Sequence, residues 1–254
     1  MATAQQDSSH TRNVNVLAAA GGACSTLGAR YAPEDEQLQV PVINSFCTTC
    51  EESITATYHK ERDYNEAREA RRRLFTGQAP FSTRIVNTLK GSKASEGTVA
   101  EARSLVSKTR GERAVKKPQP AASTTPATEI AQQISVSQTT FNNRLEHMTK
   151  LVALARRMGP AYKAPTDDLK LPRLEERLQA MSNANRKVGD AGSTYTAALI
   201  ERDRLLYDKQ TGIVARMDAI RTYFNSAFGA ASAERKLLNG LSVRDLSVRR
   251  LQAV

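Results

Sequence analysis

Two stretches, LGARYAPEDEQLQVPVI (27–43) and MGPAYKAPTDDLKLPRL (158–174), carry one pattern at an offset of 131 residues. Self-similarity at a fixed offset indicates an internal repeat. Shared composition between two helical segments is the alternative explanation, but the shared glycine, tyrosine and proline are turn residues rather than general helix formers. Aligned without a gap, the identical pairs are Gly28 with Gly159, Tyr31 with Tyr162, Leu38 with Leu169, and Pro41 with Pro172.

The pattern has a local physical meaning, because glycine favours the position just past a helix end and proline favours the first turn of a helix. It predicts that a helix ends at Gly28 and at Gly159. The next helix is predicted to begin at Pro41 and at Pro172. The residues between them include several carboxylates, which suit the positive end of the following helix dipole. Each stretch is therefore interpreted as a structured loop between two helices.

Apolar residues repeat every seven positions after each proline, as helices packed at shallow angles require. The second copy predicts one helix over about 172–207, and the first copy repeats the same track from Ile43 to Phe75. The back half of the first track (61–73) is polar, so we expect it to be looser or to face a partner. Shorter helices are predicted before and after each long helix, over about 14–27 and 141–158, and up to Gly91 and Gly229.

These elements predict an all-α protein, an elongated helical bundle made of two pseudo-repeated helix–long helix–helix units packed about a pseudo-twofold axis. The composition agrees, because aromatic residues are 5% of the chain and tryptophan is absent, whereas β-sandwich cores need aromatic and β-branched residues. The predicted division is a flexible N-terminus (1–11), helical repeat 1 (12–110), a Pro/Thr/Ala-rich linker (111–134), helical repeat 2 (135–241) and a basic C-terminal tail (242–254).

The sequence has no apolar run near the length that a membrane span requires. Its short Ala/Gly-rich stretch at 16–23 makes a poor secretory signal. Three cysteines are an odd number and too few for a disulfide scaffold, which favours a reducing compartment. We therefore expect a soluble, cytoplasmic protein that does not insert into membranes.

Cys47 and Cys50 form a CxxC, a spacing found in redox and metal sites. Redox motifs of this kind open a helix after a strand, whereas this pair falls two turns inside a predicted helix. The repeat aligns the cysteines with apolar residues: Cys47 with Leu178, Cys50 with Met181 and Cys24 with Ala155. All three are therefore interpreted as small core residues, and we expect neither a bound metal nor a cofactor.

The sequence contains none of the common catalytic signatures, such as GxSxG, HExxH, a Walker loop or GxGxxG. Runs of carboxylates on the long helices, such as Glu175 and Glu176, are typical of solvated helix faces. Metal sites in helical bundles use a Glu-x-x-His pair, which this sequence lacks. We therefore expect a protein that is not an enzyme.

The net charge of the chain is +11, from 37 Lys and Arg against 26 Asp and Glu. The basic residues concentrate between 84 and 117 and recur near the C-terminal end. Such a surplus binds nucleic-acid phosphates without sequence readout, but it also serves solubility alone. The candidate polyanion contacts are Arg84, Lys90, Lys93, Arg103, Lys108, Arg110, Arg113, Lys116, Lys117, Arg249 and Arg250.

We predict a helical structural or scaffold protein that acts through protein–protein assembly, by self-association or as an adaptor. The expected partner is another protein or the chain itself, as a homo-oligomer or polymer. The alternative function is sequence-nonspecific nucleic-acid binding through residues 84–117 and the C-terminal arginines. The candidate interaction face is the polar back half of the first long helix: Glu61, Tyr64, Arg68, Arg71, Arg72 and Arg73.

Overall fold

The computed structural model describes residues 3–110 and 139–247, and across these residues the protein is all-α, with no strand. Its elements there are seven α-helices, a single turn of α-helix and four short 3-10 turns. The helices are α1 (Thr3–Thr26), α2 (Val40–Phe75), α3 (Gln78–Gly91), α4 (Glu96–Arg110), α5 (Phe141–Arg157), α6 (Leu171–Tyr207), α7 (Ile213–Phe228) and the single turn α8 (Ala233–Lys236). The predicted linker (111–134) and residues 248–254 of the predicted tail lie outside the described residues.

The long helices begin close to the predicted prolines. α2 begins at Val40, one residue before Pro41, and α6 begins at Leu171, one residue before Pro172. Proline is tolerated there because the N–H groups of the first turn have no partner within the helix. α7 ends as predicted before Gly229, whose φ of 90° suits a residue without a Cβ.

Both predicted loops leave the preceding helix through a glycine in the left-handed region. The φ angle is 54° at Gly28 and 53° at Gly159, which glycine adopts without strain. One 3-10 turn starts at each glycine, and a second 3-10 turn precedes each long helix. The turns are Gly28–Arg30 and Glu36–Leu38 in the first loop, and Gly159–Ala161 and Asp167–Leu169 in the second.

A tyrosine closes each of these loops. The Tyr31 hydroxyl donates to the carbonyl oxygen of Leu38 at 2.8 Å, and the Tyr162 hydroxyl donates to that of Leu169 at 3.1 Å. Both leucine side chains are buried, so each loop is fixed by a hydrogen bond and by apolar packing. The residues shared by the two stretches therefore have the same local roles in both loops.

The described residues divide into two compact units. Unit 1 lies within Met1–Asn65 and Asp190–Val254, and unit 2 lies within Glu66–Gly189. The boundaries fall inside α2 and inside α6, so each long helix supplies residues to both units. Each unit thus combines residues of predicted repeats 1 and 2, and the compact units divide the chain differently from the repeats.

Each unit has its own apolar core. Burying one side chain of the size of leucine or phenylalanine contributes about 1.5–3 kcal/mol to stability. The core of unit 1 includes Val14, Leu17, Ile43, Leu206, Met217, Ile220 and Phe224. The core of unit 2 includes Phe75, Ile85, Leu89, Leu105, Met148, Leu151, Leu174 and Met181.

Helix α1 includes most of the N-terminal segment. A flexible stretch is predicted over 1–11, but α1 begins at Thr3. The His10 side chain is fully buried, and its Nδ1 lies 2.6 Å from the Tyr207 hydroxyl oxygen. The hydrogen bond between His10 and Tyr207 therefore joins α1 to the end of α6.

The predicted basic tail (242–254) begins within the packing of unit 1. The Asn13 side-chain amide donates to the Arg244 carbonyl oxygen at 2.7 Å, and its oxygen accepts from the Arg244 backbone N–H at 3.2 Å. Leu246 is also buried. The described part of this segment is therefore attached to α1 by paired hydrogen bonds and by an apolar contact.

Candidate functional site

The three cysteines lie in the core of unit 1, as the repeat predicts. Cys24 and Cys50 are fully buried, and Cys47 is 5% exposed. Burial raises the pKa of Cys47 to about 11 and that of Cys50 to about 12, so both thiols are protonated near neutral pH. A buried, protonated thiol is a weak nucleophile and a poor metal ligand.

The residues of the predicted interaction face differ in their exposure to solvent. Tyr64 is half-buried and stacks on Tyr195. Arg71 is also half-buried, and its guanidinium carbon lies 4.1 Å from the centre of the Phe141 ring. These two residues continue the seven-residue track of α2, so they contact neighbouring helices. The other members are Glu61, which is half-buried, and Arg68, Arg72 and Arg73, which are exposed.

The described polyanion candidates fall into two groups. Arg84 is engaged, because its guanidinium donates to both Asp168 carboxylate oxygens, at 2.6 and 3.1 Å, and to the Thr166 hydroxyl at 3.0 Å. Arg110 donates to the Thr83 hydroxyl at 2.9 Å. The second group consists of exposed side chains: Lys90, Lys93, Arg103 and Lys108. Outside the described residues lie Arg113, Lys116, Lys117, Arg249 and Arg250.

Net charge is distributed unequally between the two units. The described residues of unit 2 include 20 Lys and Arg against 9 Asp and Glu, a net charge of +11. Those of unit 1 include 12 against 15, a net charge of −3. The positive charge of the described residues is therefore concentrated in unit 2.

Exposed cations from separate parts of the chain meet around the turn between α3 and α4. The Lys163 backbone N–H donates to the Ser92 hydroxyl at 2.9 Å. The Arg157 guanidinium donates to the Thr98 hydroxyl at 3.3 Å. These hydrogen bonds join the end of α5 and the loop after it to the α3–α4 turn. We name the exposed cations gathered there the basic turn: Lys90, Lys93, Arg157 and Lys163.

The large apolar side chains that stay exposed lie in unit 1. Across the described residues they are Val42 (36% exposed), Tyr58 (58%), Ile200 (64%) and Leu237 (47%). Tyr58 and Ile200 lie close in sequence to a point where α2 and α6 touch, since the Thr57 hydroxyl donates to the Ala198 carbonyl oxygen at 3.3 Å. Unit 1 thus exposes apolar side chains at low net charge, whereas unit 2 exposes charge.

Four residues of these surfaces escape prediction from the sequence. Tyr58 and Ile200 lie off the seven-residue tracks, and a single apolar residue on a helix carries no signal of its exposure. Arg157 and Lys163 flank a predicted turn, but only tertiary packing brings them beside the α3–α4 turn. In the sequence, the position of Arg157 just before the second stretch (158–174), and of Lys163 within it, is the one feature that points to these two residues.

Comparison with protein-family models gives no match to the chain, and neither curated proteins nor solved structures match it. Among the helices of the described residues, none is long and apolar enough to cross a membrane. The function is therefore inferred from the fold and from the chemistry of the two surfaces.

Proposed function

We propose that the protein is a non-enzymatic helical scaffold that acts through protein–protein assembly, and specifically through self-association of unit 1. The observation that carries this proposal is the separation of two kinds of surface. In the described part of the chain, the exposed large apolar side chains belong to unit 1 and the surplus of positive charge belongs to unit 2. Covering exposed aromatic and aliphatic side chains with a partner lowers the free energy, because apolar surface is removed from water.

A second copy of unit 1 is the partner that the charges favour. Two copies of unit 2 repel one another strongly, since the described residues of each have a net charge of +11, whereas two copies of unit 1, at −3 over their described residues, repel only weakly. Tyr58 and Ile200 are the proposed contact residues because they are the two most exposed of these apolar side chains. A symmetric dimer would use the same patch on both copies.

Light scattering after size-exclusion chromatography, over a concentration series, tests this proposal. We expect the wild-type chain to form at least a dimer that persists at about 0.5 M salt, since salt screens charges but does not weaken apolar burial. The Tyr58→Ser/Ile200→Ser variant should be monomeric. A wild-type chain that is monomeric at every concentration would overturn the proposal.

The matched control is Val42→Ser/Leu237→Ser, which removes two other exposed apolar side chains from unit 1. It should stay associated like the wild-type chain. Dissociation of the control variant, with association kept in Tyr58→Ser/Ile200→Ser, would contradict the assignment of the contact to Tyr58 and Ile200.

We also propose that the two helix–long helix–helix segments are diverged copies of one unit. The equal backbone geometry at Gly28 and Gly159 supports this proposal, as do the matching tyrosine hydrogen bonds that follow. Tyr64 and Tyr195, which are 131 residues apart and aligned with each other, stack with their ring planes 21° from parallel. A contact between a residue and its own counterpart arises when two copies pack about a twofold axis.

Nucleic-acid binding is the second candidate function, and the charge of unit 2 favours it. A net charge of +11 over the described residues of one compact unit attracts phosphates without any base readout. A gel-shift titration with a labelled DNA duplex at increasing salt concentration tests this function. Affinity should fall steeply as the salt concentration rises, and a lack of binding at low ionic strength would exclude it.

A further inference from the structure

We propose that the basic turn of unit 2, formed by Lys90, Lys93, Arg157 and Lys163, is the site that contacts the phosphate backbone of a nucleic acid. This inference rests on the second candidate function and gives it a location. It selects four exposed cations out of the 20 Lys and Arg in the described residues of unit 2.

The basic turn is assembled by the fold rather than by the sequence. Lys90 lies in the last turn of α3, and Lys93 lies just beyond it with a φ of 57°. Arg157 is the last residue of α5. The hydrogen bonds from Lys163 to Ser92 and from Arg157 to Thr98 hold these segments together. Four cations from segments more than 50 residues apart in sequence thus share one surface.

The cations of the basic turn differ from several other cations of unit 2 in their ion pairing. Elsewhere in the unit, carboxylates already neutralise several cations, as in Arg84 with Asp168 and Arg156 with Glu175, each at 2.6 Å. No described carboxylate lies within ion-pair distance of a basic-turn side chain. Glu96, in the first turn of α4, is the nearest acidic residue in sequence to Lys93. The positive charge of the basic turn is therefore available to an external anion.

A groove of about 480 Å³ reaches the basic turn at Lys163. Its lining includes the exposed side-chain amide of Asn87, whereas the Thr88 and Thr166 hydroxyls already donate within the unit, to the Arg84 carbonyl oxygen and to the Asp168 carboxylate. Donors of this kind hydrogen-bond to phosphate and sugar oxygens in protein–nucleic acid complexes. The Asn87 amide thus adds a hydrogen-bond donor beside the cations of the basic turn.

The surroundings of the basic turn favour nucleic acid over a membrane or a protein. Peripheral membrane binding buries an apolar anchor, and the core of a protein interface is apolar. Among the described residues of unit 2, no large apolar side chain is exposed. A phosphodiester backbone needs only cations and hydrogen-bond donors, which are the groups present.

A purely structural role is the competing explanation for part of the cluster. Lys90 and Arg157 lie in the last turns of α3 and α5, where a cation stabilises the helix dipole. Lys93 and Lys163 lie outside these helices, so helix stabilisation does not explain them. The test therefore measures both binding and thermal stability.

Fluorescence anisotropy with a labelled 20-base-pair DNA duplex, repeated at several salt concentrations, tests the site. The site variant is Lys90→Gln/Lys93→Gln/Lys163→Gln. Each phosphate contact contributes about 0.9 to the slope of log affinity against log salt, so this variant should lower the slope by about 2.7. Its affinity at about 0.1 M salt should fall at least tenfold, on the order expected for three lost contacts.

The matched control removes three exposed cations from other positions of unit 2, as Arg103→Gln/Arg186→Gln/Lys187→Gln. It should keep a slope within about 1 of the wild-type slope. Equal losses in the two variants would overturn the basic turn as the site while leaving nucleic-acid binding in place. A wild-type chain that binds no DNA at low salt would overturn nucleic-acid binding itself.

Two further measurements separate binding from folding and from lipid. The charge-preserving variant Lys90→Arg/Lys93→Arg/Lys163→Arg should bind DNA like the wild-type chain, and all variants should melt cooperatively by circular dichroism. If the site variant proves to be unfolded, the charge-preserving variant decides the matter. A charge-preserving variant that is folded and fails to bind DNA would contradict the proposal. Binding to anionic phospholipid vesicles without binding to DNA would replace nucleic acid by a membrane as the partner.

Discussion

Tyr64 of α2 stacks on Tyr195 of α6, with ring centroids 6.0 Å apart and ring planes 21° from parallel. The same Tyr64 ring lies against Gly192, since a Cβ placed on that glycine would be 3.3 Å from Tyr64 Cε2. The part of α2 that the sequence predicts to be loose or partner-facing therefore has an aromatic contact within unit 1. The contact gives Tyr64 and Gly192 a packing role on the facing sides of α2 and α6.

The Tyr64–Tyr195 contact should appear as a coupling energy in a double-mutant cycle. Stacked aromatic pairs contribute about 0.5–1.5 kcal/mol beyond their buried area. We expect Tyr64→Leu and Tyr195→Leu to lower the free energy of unfolding singly, and by less than the sum of the two losses when combined. Urea unfolding followed by circular dichroism measures all four chains. Strictly additive losses would show that the two rings do not stabilise each other.

Gly21 and Gly22 are neighbours in α1 that differ in their surroundings. A Cβ on Gly21 would lie 3.0 Å from Cγ2 of Ile43, whereas a Cβ on Gly22 would meet nothing within 4 Å. Alanine stabilises a helix interior by about 0.5–1 kcal/mol relative to glycine. Gly22→Ala should therefore raise the free energy of unfolding by about that amount.

Gly21→Ala should be at least about 1 kcal/mol less stable than Gly22→Ala, because the fully buried Ile43 must move to admit the methyl group. The two variants have the same composition and differ by one position, so each is the control for the other. Equal unfolding free energies in urea would mean that α1 and α2 do not approach each other closely at Gly21.

The ends of the helices are predictable from the sequence because they depend on single residues. Proline fixes its own φ, and glycine admits the left-handed backbone, so Pro41 and Gly28 mark a start and an end whatever the rest of the chain does. The same holds for Pro172 and Gly159. The prediction of the long helices needs only these residues and the seven-residue period between them.

Tertiary contacts are less predictable, because each unit places an arginine over a phenylalanine ring but takes the two residues from different helices. In unit 1 the guanidinium carbon of Arg216 lies 4.2 Å from the ring centre of Phe46. In unit 2 that of Arg177 lies 4.5 Å from the ring centre of Phe81. Phe46 and Arg177 are aligned at the offset of 131, so the long helix supplies the ring in one unit and the cation in the other. A sequence comparison scores this pair as a mismatch.

The basic turn is predictable from the sequence only in part, because two of its cations come from a basic stretch and two are added by tertiary packing. Lys90 and Lys93 stand out in the sequence because they belong to a basic stretch. Arg157 and Lys163 join them only through hydrogen bonds between distant segments. The opposite net charges of the units depend on where α2 and α6 divide between them, which is tertiary information.

His147 should make the stability of the protein depend on pH. Its side chain is 5% exposed, and neither ring nitrogen has a hydrogen-bond partner in the described structure. Burial lowers the pKa of His147, Glu146 opposes this effect, and the cations Lys108 and Lys150 add to it. The unfolded state then binds the proton more readily than the folded state. Stability is therefore lost as the pH falls below about 6.5, the ordinary pKa of histidine.

We expect His147→Leu to lose less unfolding free energy than the wild-type chain between about pH 7.5 and pH 5, because leucine has no proton to gain. Urea unfolding at the two pH values measures the difference. His59→Leu is the control, since His59 is exposed, and it should keep the wild-type pH dependence. An unchanged pH dependence in His147→Leu would show that His147 is not buried as a neutral side chain.

Tyr31→Phe and Tyr162→Phe test whether the two loops are held in the same way. Each substitution removes one hydroxyl and leaves the backbone carbonyl of a buried leucine without that donor. An unsatisfied buried acceptor costs about 1–3 kcal/mol, so each variant should lose at least about 1 kcal/mol of unfolding free energy. Urea unfolding with circular dichroism measures both losses.

Tyr58→Phe is the matched control, because it removes the same hydroxyl from a ring that is 58% exposed and keeps the apolar ring that is proposed to contact a second copy. Surface substitutions of this kind usually change stability by less than about 0.5 kcal/mol. Similar losses at Tyr31 and Tyr162, well above that of the control, would mean that both loops depend on the tyrosine hydrogen bond. A loss at one position alone would mean that the shared tyrosine has kept its role in only one loop, and that packing of the buried leucine holds the other.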